Sequence, residues 1–202
     1  MDTNFDADPG VQWMLAYQAG DEGAFDRIVE AYSAQVFALL TRFLGQRPGR
    51  EDLVQDVFLR VVRARDRYEP TARFSTWLYR IVFNLSVNET QRAGIKEVRP
   101  GDGSGALESG ANDVMSEFHD ERIEDPSERM IQNDVVQAVR TAIARLPEQQ
   151  RMALVLAKYH ELPYSEIATV IGSSEKAVKS LVHRARENLR ESLAPYLQGE
   201  IA

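Results

Sequence analysis

The chain of 202 residues contains no cysteine, only three histidines and no apolar run that approaches the length of a membrane span. Without cysteine, the chain cannot form a disulfide framework, a thiolate metal site or a thiol redox switch. Crossing a bilayer needs about 20 consecutive apolar residues, and a basic-then-apolar leader is missing too. We therefore expect a cytoplasmic protein that is neither exported nor inserted into a membrane.

Motifs of catalytic chemistry are absent as well. His119, His160 and His183 are scattered, and the sequence has no His-Glu-x-x-His pattern, no clustered carboxylates and no nucleophile motif. The glycine-rich stretch 101–105 lacks the lysine of a phosphate-binding loop. We expect no enzyme activity, metal or cofactor, and we interpret His160 as a helix-end residue.

A positive net charge is also lacking, since the chain carries a net charge of -7. Residues 1–92 hold 11 basic and 13 acidic side chains, residues 93–128 hold 3 and 10, and residues 129–202 hold 10 and 8. The negative excess therefore belongs to the middle segment, and the flanking segments are nearly neutral. Such segments predict weak binding to duplex DNA unless a partner supplies affinity.

Apolar residues recur every three or four positions on both sides of the acidic segment. This pattern predicts an all-α chain, with helical domains at 1–92 and 129–202 joined by a flexible acidic linker at 93–128. A chain of this length can bury one large core or two small ones, and the polar middle favours two. The linker acids belong to a simple tether, or they mimic nucleic acid or shield the basic faces of the free protein.

Within the first domain, a long amphipathic helix carries Phe25 to Phe43 and ends before Pro48. Another helix runs from about Arg50 to Arg67, and a further one has its apolar face from Phe74 to Leu85. In the second domain, four helices are predicted: one at 131–146, one that Pro147 starts, one at 164–171, and one from Ser174 to about Leu193.

The last two helices have the pattern of a helix-turn-helix. Gly172 supplies the left-handed conformation of a tight turn, and Ser173 or Ser174 caps the following helix. The side of that helix away from its core spacing carries the candidate DNA-binding residues Ser174, Lys176, Lys179, Ser180, His183, Arg184 and Arg186. Lys176, Lys179, Ser180 and His183 are candidates for base contacts, and the arginines, with Arg190, for phosphate contacts. The alternative is a solvated charged face.

Two blocks of the first domain combine polar and apolar side chains. In the block that begins Asp52-Leu-Val-Gln-Asp-Val-Phe, one helix face carries Asp52, Gln55, Asp56, Arg60 and Arg63. Charge of both signs suits a helix-to-helix interface, although ordinary solvated charge is the alternative. In the block from Phe74, we expect exposed aromatic rings beside a polar stripe, spaced by four, of Arg80, Asn84, Asn88 and Arg92. Such a stripe is often only the solvent-exposed face of an amphipathic helix.

The two blocks, followed by the helix-turn-helix pattern, resemble the extracytoplasmic-function (ECF) sigma factors, two-domain subunits of bacterial RNA polymerase. The resemblance covers about Val11–Arg92 and Met130–Leu193. It implies that the face around Asp56 binds the clamp helices of the largest polymerase subunit. It also implies that the helix from Phe74 faces the melted downstream promoter element, with Asn84 reading a base edge.

The resemblance assigns the loop Asp66–Arg73 to a pocket for a flipped base, with Tyr68 and Phe74 as stacking candidates. Trp77 is a further candidate, although its position on the apolar face favours core packing. The run from Ala177 to Arg186 departs from the family pattern, which has Thr at 177 and Arg at 181. Leu181 either extends the core or meets a thymine methyl group.

The implied function is binding of core RNA polymerase and promoter DNA, duplex and melted, to direct transcription initiation. By the same resemblance, we expect an anti-sigma factor as a regulator. A free-standing helix-turn-helix transcriptional regulator is the alternative, but such regulators usually need paired half-sites. No dedicated dimer helix is recognisable in the sequence, and a helical scaffold without DNA binding would leave the recognition-helix pattern unexplained.

Overall fold

The computed structural model describes residues 5–46, 48–98 and 126–197, in which helices form two lobes. The N-lobe contains a 3₁₀ turn at Phe5–Ala7, α1 at Pro9–Gln18, α2 at Glu22–Leu44, α3 at Arg50–Ala64, a 3₁₀ turn at Arg65–Arg67, and α4 at Phe74–Val98. The C-lobe contains α5 at Pro126–Arg145, α6 at Glu148–Tyr159, α7 at Tyr164–Ile171 and α8 at Glu175–Leu197. No strand occurs in these ranges, so the all-α prediction is confirmed.

Helices extend into the predicted linker from both sides. Helix α4 continues past Arg92 to Val98, and α5 already begins at Pro126. A single glycine at 94 weakens a helix by only about 1 kcal/mol relative to alanine and does not end it. The rest of the predicted linker, residues 99–125, and His119 within it lie outside the described residues.

One carboxylate holds the beginnings of two N-lobe helices together. Asp8 Oδ1 accepts hydrogen bonds from the backbone N–H groups of Gly10 at 2.8 Å and Val11 at 3.4 Å. Its Oδ2 accepts from the N–H of Phe74, the first residue of α4, at 3.0 Å. Because the first N–H groups of a helix have no partner within it, Asp8 caps α1 and α4 at once.

The same junction requires a glycine. A Cβ atom on Gly10 would lie 2.5 Å from the Tyr32 hydroxyl and 2.7 Å from Cβ of Phe74. The rings of Tyr32 and Phe74 have their centroids 5.0 Å apart. Burial, and next the charge of Asp8, raise the pKa of Tyr32 to about 12. Helix α1 therefore packs with almost no space against the start of α4.

The two lobes are packed against each other through α4. One continuous apolar core runs from Val11 in α1 to Val182 in α8, with a small satellite core of Leu146, Leu154 and Ala185. Two helical domains are thus present, but the expectation of two separate cores is wrong. Helix α4 packs on α2 and α3 of its own lobe and on α7 of the other, so neither lobe buries its apolar surface alone.

The contact between the two lobes, called the seam below, contains a buried arginine near the end of α2. Arg151 of α6 is 9% exposed, and its Nη1 donates to the carbonyl oxygen of Phe43 at 2.8 Å. Its Nη2 donates to the carbonyl oxygens of Leu146, at 3.0 Å, and Ala144. These carbonyls belong to the last turns of α2 and α5 and the residue that follows, where a positive charge is favourable.

A hydrogen bond between a histidine and a tyrosine also joins the lobes at the seam. The Tyr79 hydroxyl donates to Gln35 Oε1 at 2.9 Å, so it accepts from His160 Nδ1 at 3.1 Å. Burial, and next the charge of Arg42, lower the pKa of His160 to about 4. The imidazole is therefore neutral, and its buried Nε2 has no hydrogen-bond partner among the described residues. His160 does end α6, as predicted, but its side chain joins the two lobes.

We predict that Asp8→Ala lowers the free energy of unfolding by about 2 kcal/mol, because two helix caps are lost together. Urea denaturation followed by circular dichroism measures this loss. Asp21→Ala is the matched control, since Asp21 precedes α2 without a side-chain cap and only forms an exposed ion pair with Arg27. Its effect should stay below about 0.5 kcal/mol. Equal losses would contradict the double cap.

We predict that acidification separates the lobes. Because the pKa of His160 is lowered by packing, the packed arrangement binds fewer protons than an opened one between about pH 6.5 and 4. The packing is therefore fully favourable above about pH 6.5 and weakens as the pH falls from there toward 4. Small-angle scattering should show a larger radius of gyration at pH 5.5 than at pH 7.5. His160→Gln, which cannot titrate, should lack this change; an equal change in both proteins would count against His160.

Candidate nucleic-acid and partner interfaces

The charged face of α3, defined by Asp52, Gln55, Asp56, Arg60 and Arg63, is exposed at all five positions. The opposite side of the helix buries Val57, Phe58 and Val61 in the core. This division follows from the helical period, because residues three and four apart lie on one side. The structure therefore leaves these five side chains available to a partner.

Sequence reasoning missed an apolar residue at the centre of this face. Leu59 is 49% exposed and lies four residues after Gln55 and three after Asp56. Val62, at 37% exposure, is one turn further on. Leu59 and Val62 follow Asp56 by three and six residues. This helical spacing places both side chains away from the buried Val61, so the sequence could have predicted their exposure. An apolar centre with a charged rim is the usual composition of a binding surface.

The polar stripe of α4 is exposed at Arg80, Asn84, Asn88 and Arg92. Arg92 forms an ion pair with Glu89, one turn before it, at 2.8 Å. The side chains of Arg80, Asn84 and Asn88 follow one another at single-turn spacing, so they present one continuous polar edge. This edge lies away from Leu78 and Val82, which are fully buried.

The expectation of exposed aromatic rings in this block is wrong. Tyr68 is 4% exposed and Phe74 is fully buried, because both rings pack with Trp77 in an aromatic cluster. Trp77 is half-buried against the core, as its place on the apolar face predicted. Burial is the largest cause that raises the pKa of the Tyr68 hydroxyl, which has no hydrogen-bond partner among the described residues. In this conformation, neither Tyr68 nor Phe74 offers a face on which a base could stack.

The helix-turn-helix forms as the sequence predicts. Gly172 ends α7 with φ 66° and ψ 45°, the left-handed conformation, and Ser174 Oγ accepts from the N–H of Ala177 at 3.2 Å. Ser174, not Ser173, is therefore the cap of α8. Val178, Val182 and Ala185 are buried, so the core spacing predicted for this helix is also confirmed.

The recognition face of α8 is exposed at every candidate position: Ser174, Lys176, Lys179, Ser180, His183, Arg184 and Arg186. His183 Nδ1 lies 3.1 Å from Glu187 Oε2, one turn further on. Leu181 is half-buried against the core, so the alternative in which it extends the core is the one observed. The exposed basic residues therefore share the side of α8 that does not pack on the core.

Sequence reasoning also missed the side chains that join the lobes. Glu166 of α7 accepts a hydrogen bond from Thr76 Oγ1 at 2.7 Å, and Glu148 of α6 accepts one from Thr90. No sequence signal identifies these pairs, because their members are 90 and 58 residues apart. Over the described ranges, no group of acidic and histidine side chains could hold a metal ion. None of the helices in those ranges is both long and apolar enough to cross a bilayer.

Two family profiles match the chain in the same order as the predicted domains. Sigma-70 region 2 matches residues 28–94, and the Sigma-70 region 4 profile matches residues 136–189. The first range includes the charged face of α3 and the polar stripe of α4, and the second includes the helix-turn-helix.

Curated relatives match over nearly the whole chain. The RNA polymerase sigma-H factor of Pseudomonas aeruginosa is 33% identical over 181 residues, which are 90% of this chain and 92% of the relative. The ECF RNA polymerase sigma-E factor of Escherichia coli K12 is 32% identical over 183 residues, again 90% and 92%.

Solved structures have the same fold. CnrH in complex with the cytosolic domain of CnrY matches with a TM-score of 0.64 and 23% identity, over 93% of this chain and 98% of that one. The sigma factor RpoE of Bartonella quintana, bound to the anti-sigma factor NepR, matches with a TM-score of 0.64 and 23% identity, over 84% and 96%. With relatives above 30% identity over nine-tenths of its length, the chain belongs to the ECF sigma factors of bacterial RNA polymerase.

Proposed function

We propose that the chain binds core RNA polymerase and directs it to promoters through three surfaces, each on a different helix. Membership in the family supports promoter-directed initiation as the function. The division of labour among the helices is our own assignment. It gives residues 1–92 the polymerase and downstream-element contacts, and residues 129–202 the upstream-element contacts.

The observation that carries the proposal is the recognition face of α8. A tight turn with a left-handed glycine places α7 and α8 as in a helix-turn-helix, and every candidate side chain on α8 is exposed. Lys176, Lys179, Ser180 and His183 would contact base edges of the upstream element. Arg184 and Arg186 would contact phosphates and set the register on the duplex.

The charged face of α3 would bind the polymerase. Its charges of both signs suit a partner helix with complementary charges, and Leu59 offers an apolar centre that such a partner would desolvate. Affinity from this surface compensates for the nearly neutral charge of the two DNA-contacting lobes, which on their own would bind duplex DNA weakly.

The polar stripe of α4 would hold the melted downstream strand. Asn84 has the donor and acceptor groups needed to read a base edge, and Arg80 and Arg92 can neutralise phosphates. Because Tyr68 and Phe74 are buried, we assign them to support of the loop before α4 and leave base contact to the exposed residues.

An anti-sigma factor is the partner that we propose as regulator. One fold relative, RpoE of Bartonella quintana, was solved with the anti-sigma factor NepR, and the exposed faces of α3, α4 and α8 offer surfaces that an inhibitor could cover. We propose further that the chain acts in the cytoplasm and has no reaction of its own, because its role is to place the polymerase that carries out the chemistry.

Run-off transcription tests the proposal. Purified bacterial core polymerase is supplied with a pool of promoter fragments, with and without this protein. Specific initiation that depends on the protein is the expected result, and the transcribed fragments identify both promoter elements. If no transcript and no complex with core formed, while the protein alone bound a palindromic duplex, a helix-turn-helix regulator would replace this proposal.

We predict that Asp56→Arg weakens binding to core polymerase at least tenfold, because reversing a charge within an interface places like charges together. Fluorescence anisotropy with labelled protein measures the dissociation constant. Asp134→Arg is the matched control, since Asp134 is an exposed acid on α5. An unchanged affinity for the folded Asp56 variant would remove α3 from the interface.

We predict that Asn84→Ala changes sequence preference at one position of the downstream element by about 1–3 kcal/mol, because a base-edge contact is lost. Transcription from a set of single-base promoter variants measures this preference. Arg80→Ala serves as the comparison and should weaken all variants about equally, as expected for a phosphate contact. Unchanged preference in the Asn84 variant would exclude Asn84 from base recognition.

A further inference from the structure

A carboxylate of the C-lobe lies against the beginning of α4. Glu166 Oε2 accepts a hydrogen bond from Thr76 Oγ1 at 2.7 Å, and Oε1 lies 3.4 Å from Nε of Arg73. Thr76 is 1% exposed beneath this contact, whereas the side chain of Arg73 is 62% exposed. Glu166 therefore forms a short, partly buried hydrogen bond with Thr76 and a longer ion pair with the partly exposed Arg73.

The position of this contact matters because it continues the polar stripe. Arg73 precedes Arg80 by seven residues, or about two helical turns, and Asn84 follows Arg80 after one more turn. Arg73, directly before α4, thus lies on the same side as Arg80 and Asn84 of that helix, and Thr76 lies beside Arg73. A strand laid along the stripe would reach Arg73 and Thr76 at its end.

The chemistry of these two donors suits a phosphate as well as a carboxylate. A guanidinium group and a hydroxyl both donate to anionic oxygens, and phosphate is a preferred partner of arginine. We propose that Arg73 and Thr76 form a subsite for a backbone phosphate of single-stranded DNA, and that Glu166 occupies this subsite within the free chain. The inference rests on the proposed role of the polar stripe in holding the melted strand.

A DNA strand can displace Glu166 from the subsite of Arg73 and Thr76. The Glu166 side chain is 21% exposed, but Nε of Arg73 lies 3.4 Å away and the Arg73 side chain is 62% exposed, so this ion pair contributes little stability. A DNA strand also brings several phosphates at once and releases counterions when it binds, which a single carboxylate does not. The strand can thus displace Glu166 when α7 moves away from α4, and the free chain keeps the subsite covered until then.

Glu166→Gln tests the proposal with little change in shape. The amide oxygen can still accept from Thr76, but the negative charge beside Arg73 is lost. Anisotropy of a fluorescein-labelled single-stranded oligonucleotide measures binding to the full chain without polymerase. We expect Glu166→Gln to bind roughly fivefold more tightly than the wild type. The slope of log affinity against log salt should steepen by about 0.7, as for one more phosphate contact.

Two further variants separate unmasking from a general loosening of the lobes. Glu148→Gln is the matched control, because Glu148 also joins the lobes but contacts Thr90, four turns further along α4. We expect it to change affinity less than twofold. Adding Arg73→Gln to the Glu166 variant should abolish the gain, since the phosphate then lacks its guanidinium partner. Circular dichroism confirms that each variant is folded.

The outcomes are distinct from those of the proposed function. An affinity of Glu166→Gln equal to the wild type would overturn the masking, and so would an equal gain in Glu148→Gln. A gain that survives Arg73→Gln would overturn the phosphate subsite. Run-off transcription with the wild type is measured in parallel: initiation together with any of these results removes only this inference, whereas failure to initiate removes the proposed function.

Discussion

The packing of α4 is the constraint on which the rest of the structure depends. This helix contributes buried side chains to the N-lobe and also packs on α7 of the C-lobe, so one apolar core extends through both lobes. Its first turn is fixed by Asp8, and it is 25 residues long. The polar stripe, the aromatic cluster and the seam between the lobes all take their positions from it.

Polar contacts along the seam differ in how readily they can open. Arg151 is buried and donates to several backbone carbonyls, so removing it from the seam would leave those acceptors without their partner. The pair of His160 and Tyr79 depends on a neutral imidazole, and in the pair of Glu166 and Arg73 the arginine side chain is open to solvent. The seam therefore combines a firm contact near the end of α2 with weaker ones that respond to protons or to competing anions.

The surfaces available for binding remain exposed although the lobes are packed. The charged face of α3 and the recognition face of α8 lie away from the seam, whereas the beginning of α4 is covered. Packing of the lobes thus separates the surfaces by accessibility: the faces that we propose for partner and duplex contacts are open, and the end of the surface that we propose for the melted strand is partly covered. This difference arises from the packing of α7 on α4, in which Glu166 contacts Thr76 and Arg73.

The sequence by itself determined the helices, their faces and the turn of the helix-turn-helix. These features depend on local periods and local backbone preferences, so Val61 opposite Asp56, Gly172 in the left-handed conformation and a serine cap at 173 or 174 could be predicted. Only the tertiary structure decided that Tyr68 and Phe74 are buried, that the two cores are joined, and that Glu166 meets Thr76. Those results depend on contacts between residues far apart in the chain, and no local pattern encodes which distant helix covers a given face.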